Sequence, residues 1–182
     1  MQHFDDIAVA LKKAIREVPD FPKQGIKFKD ITPIFLDPEL NNKALDKLTQ
    51  LITALNPDVI IGVDSRGFIM GNSIALKAKI PFVLARKKGK LPAEVVSATY
   101  TLEYGEDTLE MHKDSFLPGA KVVIHDDLLA TGGTAKCVAN LVEQLGGQVV
   151  AYSFLIELAF LDGRKQLSEI TDNIISLVTY ES

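Results

Sequence analysis

The chain has 182 residues, 47% of them apolar and 24% charged, which at about 100–200 residues per domain describes one globular domain rather than a disordered chain. Its formal charge is −4, from 20 basic and 24 acidic residues, which argues against a surface built to coat nucleic acid. One cysteine, Cys137, excludes a disulfide framework and a cysteine zinc cluster, and His3, His112 and His125 form no H-x-x-x-H pair. No apolar run approaches the ~20 residues of a membrane span. The opening Met1-Gln2-His3-Phe4-Asp5-Asp6 lacks the features of a secretion signal. A cytoplasmic domain is expected, with no membrane or nucleic-acid partner.

In chain order, Phe4, Ile7, Ala8, Leu11, Ile15 and Val18 recur at helical spacing until Pro19 stops them. Residues 20–30 carry Pro and Gly and predict only loop. Asp37-Pro38 reads as an N-cap with proline at the first helical position, and Leu40, Ala44, Leu45, Leu48, Leu51, Ile52 and Leu55 form the stripe of the helix that follows. The period then changes. Val59-Ile60-Ile61-Gly62-Val63 is a short continuous apolar run, the mark of a strand buried on both faces of a parallel sheet. A helix over 67–79 and a second buried strand over 81–85 come next, then a basic loop, Arg86-Lys87-Lys88-Gly89-Lys90. Tyr100, Leu102 and Tyr104 alternate with polar residues, turn at Gly105-Glu106 and face Leu109 and Met111, which predicts a hairpin with one solvated side. Strands over 122–124, 149–156 and 174–178 and a helix over 134–145 complete the pattern. The expected architecture is α/β: a mainly parallel central sheet with helices on both faces and an antiparallel flap at about 86–113, one domain over 1–182.

In open parallel sheets ligands bind beyond the carboxyl ends of the strands. Two strand ends here have unusual polar sequences. The first runs V-V-I-H-D-D-L-L-A-T-G-G-T, from Val122 to Thr134. A buried strand delivers Asp126 and Asp127, and a short loop, Ala130-Thr131-Gly132-Gly133-Thr134, opens a helix. Glycines let backbone N–H groups approach a bound group, and the helix N-terminus adds unpaired donors and a positive dipole end. Together they suit a phosphate, and two adjacent acids suit the vicinal hydroxyls of a sugar. Neither the Walker pattern nor G-x-G-x-x-G is present. The second strand end is G-V-D-S-R-G-F, from Gly62 to Phe68, and it also leads from a buried strand into a helix. His125 reads as a satisfied sheet histidine and Cys137 as a packed thiol.

The ordered set of motifs resembles the type I phosphoribosyltransferases, and within them the adenine phosphoribosyltransferases. It comprises P-D-F-P-x-x-G-I-x-F-x-D-I-T-P from Pro19, the two strand ends, R-K-x-G-K-L-P from Arg86, L-E-Y-G from Leu102 and L-I-E-L from Leu155. The resemblance implies the type I fold and the reaction of adenine with phosphoribosyl pyrophosphate (PRPP), giving AMP and pyrophosphate in purine salvage. It implies that Asp126, Asp127, Ala130, Thr131, Gly132, Gly133 and Thr134 hold the ribose and its 5′-phosphate. Pyrophosphate falls to Asp64, Ser65, Arg66, Gly67, Lys87 and Lys90, with Arg66 also serving catalysis and the lysines borne on a mobile hood. Ile26, Phe28 and Lys29, in a loop within residues 1–36, would take adenine, Phe28 by stacking. Alternation alone puts Glu103 on the solvent side of the hairpin, whereas the resemblance makes it a general acid/base at the purine, beside Tyr104 of the hood. Magnesium is implied as a cofactor held through PRPP and water, with no direct protein ligand, and the assembly as a homodimer. The alternatives are a phosphoribosyltransferase for another purine base and a non-catalytic PRPP-sensing regulator of the same fold. The early F-P-x-x-G-I-x-F loop favours adenine, and the acidic balance disfavours a DNA-binding regulator.

Overall fold

The apolar repeat of the first segment folds as α1 (Gln2–Ala14), shorter than the repeat predicts, because Arg16–Pro19 leaves the helix as strand β1. This computed structural model describes residues 2–101 and 106–182, and the chain divides into two units, 1–47 and 48–182. In the first unit, β1 pairs antiparallel with β2 (Lys27–Asp30), a stretch expected to be loop. Charge makes this ladder: Glu17 faces Lys29 and accepts a hydrogen bond from its ammonium, and Arg16 faces Asp30 at 3.7 Å. A single turn, α2 (Thr32–Phe35), precedes α3 (Pro38–Thr53), whose start is as predicted. Asp37 Oδ1 accepts from the backbone N–H groups of Glu39 and Leu40 at 3.1 and 3.0 Å.

The second unit carries β3 (Val59–Val63), α4 (Gly67–Ala78), β4 (Phe82–Lys87), β5 (Val95–Thr101), β6 (Glu106–His112), β7 (Lys121–Leu129), α5 (Gly133–Gln144), β8 (Gln148–Leu158), α6 (Gly163–Leu167) and β9 (Ile174–Tyr180). They build a seven-stranded sheet in the order β5-β6-β4-β3-β7-β8-β9, parallel from β4 to β9. All five residues of β3 are buried, as its unbroken apolar run requires. Val59, Ile61, Val63, Val122 and Ile124 pack with Ala135, Val138, Leu141 and Val142 of α5. The opposite face meets α4 through small residues: a Cβ on Gly62 would lie 2.4 Å from the Phe82 ring, and one on Gly71 2.9 Å from it.

Two expectations change. The strand over 81–85 is not buried on both faces: Ala85 is buried and Leu84 exposed. Phe82–Ala85 pairs only with β3, and β6 joins β4 only at Arg86 and Lys87, so the first half of β4 lies at an open edge. Strands β5 and β6 pair antiparallel as a hairpin, but Leu109 and Met111 stand opposite Ala98 and Val96, Glu106 belongs to β6 rather than the turn, and Leu102, Tyr104 and Gly105 lie outside the described residues; the hairpin extends the central sheet through β6. Its Leu109 and Met111 are buried in the cluster that α5 covers.

Candidate active site

Strand β7 runs on through the two acids to Leu129, with Asp126 opposite Phe154 and Leu128 opposite Ile156 of β8, so the carboxylates project from strand rather than from a loop. Asp126 is half-buried and Asp127 buried. Asp126 Oδ1 accepts from the Asp127 backbone N–H at 2.9 Å. Burial raises both carboxyls above the ordinary range; the Asp127 charge raises Asp126 further, and Arg66 opposes the rise at each. Beyond them the chain turns at Gly132, whose φ of 87° is left-handed, and enters α5. Asp126, Ala130, Thr131, Gly133, Thr134 and Phe154 border a cleft of about 70 Å³. A Cβ on Gly133 would meet the Tyr100 ring at 3.7 Å and Thr131 Oγ1 at 3.9 Å, ordinary van der Waals distances.

The second strand end lies directly beside the first. Arg66 Nε is 3.0 Å from Asp127 Oδ2, a contact of charge rather than an aligned hydrogen bond. A Cβ on Gly67 would meet the His125 carbonyl at 2.8 Å, so only glycine lets α4 start against β7. The Asp64–Ser65 peptide is cis. The Asp64 side chain turns toward β4, where Oδ2 accepts from Arg86 Nε at 3.2 Å and from the Lys87 backbone N–H at 3.4 Å.

The basic segment is a turn held by backbone and side-chain contacts. Lys87 Nζ is 3.2 Å from Asp107 Oδ2, and this partner raises the lysine pKa. The backbone N–H of Lys88 donates to the Thr108 carbonyl at 3.0 Å, and that of Gly89 to the buried Glu110 at 2.8 Å. Arg86 donates to the Lys90 carbonyl at 3.2 Å and stands 5.9 Å from the Phe68 ring centroid. Asp107, Glu110 and the anchoring role of Arg86 are invisible in the motifs. Only the register that puts Arg86 opposite Glu110 reveals them. Glu103 and Tyr104 lie outside the described residues.

Within the first unit, Phe28 is half-buried and meets Phe21 edge to face at 5.1 Å, with an interplanar angle of 77°. Ile26 is exposed, and its carbonyl accepts from the Phe21 N–H at 3.3 Å. The Lys29 side chain is buried against Glu17, and its hydrogen bond holds the Glu17 carboxyl below the ordinary range.

The model of the phosphoribosyl transferase domain matches residues 37–179, most of the chain and all of both strand ends. The chain belongs to the phosphoribosyl transferase family. An adenine phosphoribosyltransferase from Agathobacter rectalis is 52% identical over 171 residues, 94% of this chain and 97% of that protein. The crystal structure of the adenine phosphoribosyltransferase of Thermoanaerobacter pseudethanolicus superposes with a TM-score of 0.91 at 50% identity, covering 95% of this chain and 99% of that one. The Saccharomyces cerevisiae enzyme, solved with an imino-altritol bisphosphate and adenine, gives 0.88 at 41% identity over 95% and 99% of the two chains.

Two other polar groups of this phosphoribosyl transferase lie near the strand ends. His125 Nδ1 is 3.1 Å from Ser153 Oγ, and burial depresses the ring to about 4, so it is neutral at physiological pH. Cys137 donates to the Ala98 carbonyl at 3.3 Å, and burial pushes its thiol up to about 11, which makes it a poor nucleophile. Cys137 matches the expectation of a packed thiol, whereas His125 is a buried sheet histidine only half satisfied, its Nε2 having no hydrogen-bond partner among the described residues. Among the described residues no three His, Cys, Asp or Glu side chains converge on a metal position.

Proposed function

We propose that this phosphoribosyl transferase joins adenine to PRPP, releasing AMP and pyrophosphate, as a cytoplasmic homodimer with Mg²⁺. The observation that carries the reading is the contact of two anion-suited strand ends across one carboxylate, Arg66 against Asp127, with the T-G-G-T loop directly following. A molecule with phosphate at one end, pyrophosphate at the other and hydroxyls between them matches that sequence of groups.

In this reading the 5′-phosphate takes the backbone donors and hydroxyls of residues 130–134, and Asp126 and Asp127 accept from the ribose hydroxyls. Ser65, Gly67 and the backbone of Asp64 hold pyrophosphate, with cationic support from Arg66, Lys87 and Lys90. The Asp64 carboxylate, already committed to Arg86 and Lys87, serves the scaffold. Adenine is assigned to Phe28 and to the backbone from Ile26 to Lys29. The C1′–O bond to pyrophosphate breaks with its electron pair on the leaving oxygen, the N9–C1′ bond forms, and Glu103 takes the purine proton. The protein aligns the partners, offsets the leaving charge through Arg66 and excludes water.

Magnesium fits this donor set as a substrate-borne ion. Two adjacent acids whose charges repel each other accept well from metal-bound water. When bound, it supplies charge neutralisation at the pyrophosphate oxygens. The homodimer reading draws support from Leu76 of α4, which is 72% exposed, and from exposed Ile69 and Leu84. Leu76→Glu should shift the protein toward monomer in sedimentation, and an unchanged distribution would move the dimer interface elsewhere. The cytoplasmic setting accords with an unpaired, buried Cys137. The decisive assay offers PRPP and Mg²⁺ with adenine, hypoxanthine, guanine and xanthine in turn. Pyrophosphate release with adenine far ahead supports the reading, and a preference for another base overturns it.

A further inference from the structure

The loop that follows Asp127 has little to hold its own shape. Residues 130–132 lie outside any strand or helix, and Gly132 is left-handed. Their backing is α6, and the contact is backbone on backbone. A Cβ on Gly163 would lie 2.1 Å from the Ala130 carbonyl oxygen, and one on Gly132 would lie 3.0 Å from that of Gly163. Leu129 Cδ1 and Gln166 Oε1 stand at the margins of these two approaches, 2.9 and 3.2 Å from the same Cβ positions, but the nearest atoms at each are backbone, so a shift of α6 is passed to the loop.

A helix of five residues does not fix its own position, since nucleation alone is unfavourable at that length. Leu167 anchors one end in the core. The other end is tied by Arg164, which donates through Nε to Glu157 Oε1 at 2.8 Å, through a second guanidinium nitrogen to Oε2, and through the third to the Ile174 carbonyl at 3.0 Å. Ser176 Oγ donates to Glu157 Oε2 at 2.8 Å. Glu157 is only 3% exposed, and it sits opposite Leu129 in the β7–β8 register, level with the start of the loop. The fork therefore fastens α6 to both β8 and β9 at the height where the loop begins. Burial pushes the Glu157 carboxyl up, but the hydrogen bonds from Arg164 and Ser176 and the arginine charge outweigh it, so the group is held below the ordinary range and stays ionised. A buried ion pair adds little net stability over an apolar pair of similar volume, but a bidentate arginine fixes direction as apolar packing does not.

We propose that Glu157 and Arg164 are positioning residues for the 5′-phosphate loop, setting through α6 and Gly163 the place of the backbone at residues 130–132. The inference rests on the proposed reading of that loop as the 5′-phosphate site.

The test is Glu157→Gln in the full chain, with the thermal midpoint, PRPP binding by calorimetry, and the KM of each substrate in both directions. A loop displaced by a fraction of an ångström should weaken PRPP binding and raise the PRPP and AMP KM values about 10-fold. Adenine and pyrophosphate, which do not use the loop, should stay within about twofold. A purely structural role would lower the thermal midpoint and leave all four values alone, or move them together, and either result overturns the inference. Should Glu157→Gln fail to fold, Arg164→Lys decides: it keeps the charge, loses the fork, and changes a half-exposed side chain. It should raise the PRPP KM about 3-fold with adenine unchanged, and wild-type values in it would equally overturn the proposal. Binding separates this inference from the function: a wild type that binds PRPP without forming AMP defeats the proposed reaction, while the calorimetric comparison still tests the clamp.

Discussion

Asp127→Asn is expected to lower kcat/KM for PRPP about 100-fold while the KM for adenine moves less than about twofold. A carboxylate accepting from a sugar hydroxyl makes a charge-assisted hydrogen bond worth about 1.5–3 kcal/mol, and each 1.4 kcal/mol is a tenfold effect. The Asp127 side chain is 8% exposed, so water does not replace the lost acceptor, and the substitution also leaves Arg66 facing an amide. Initial rates at varied PRPP and varied adenine check this. Equal, small losses on both substrates would return the acid to a purely structural place in β7. The same variant has a signature in pH. Burial raises the Asp127 carboxyl in the folded state, so the native protein binds more protons than the unfolded chain across the carboxylate range and loses stability as pH rises through it. The Asn variant lacks that loss. Its thermal midpoint relative to wild type should therefore climb between pH 4 and neutral pH, and a flat difference would contradict the assigned direction.

Glu103→Gln is the second large effect. The purine proton must leave as the N9–C1′ bond forms, and a positioned base contributes about 10²–10⁴ in rate. The amide keeps the shape and loses the basicity, so kcat should fall roughly 10-fold or more with PRPP affinity nearly unchanged. Glu103→Leu should be at least as severe. The measurement belongs in single-turnover conditions, where chemistry rather than product release sets the rate. A Gln variant with wild-type kcat there would make Glu103 an ordinary solvent-side residue of the hairpin.

Much of the fold is legible in the chain because burial imposes a period. The continuous run of β3 and the capped start of α3 at Asp37-Pro38 are written in apolar spacing and turn chemistry and fold as read, while the strand read as 122–124 runs on through both acids to Leu129 before the loop and helix follow. What escapes reading is held by other forces. The β1–β2 ladder is fastened by Glu17, Lys29, Arg16 and Asp30, whose charges carry no apolar rhythm. Strand β4 reads as buried because Phe82, Val83 and Leu84 are apolar, but apolar side chains at a half-paired edge are as exposed as its neighbours leave them. At the candidate site, Asp126, Asp127, Arg66 and the glycine loop announce themselves by motif. Arg86 and Glu157 fall inside motifs that give them no role, and Glu110 and Arg164 fall in none, because a motif does not name a partner: Glu110 accepts from Gly89, 21 residues away, and Arg164 reaches Glu157 across the turn between β8 and α6.

Gly62, Gly71 and Phe82 make one socket shared by three positions on three elements. Neither glycine can gain so much as a methyl group while the aromatic ring keeps its place, and the ring has a seat only while both remain bare. Divergence at these positions is therefore epistatic. A side chain at 62 or 71 requires the ring at 82 to move or give way to something smaller, so the cost of a substitution at one of the three positions depends on what stands at the other two.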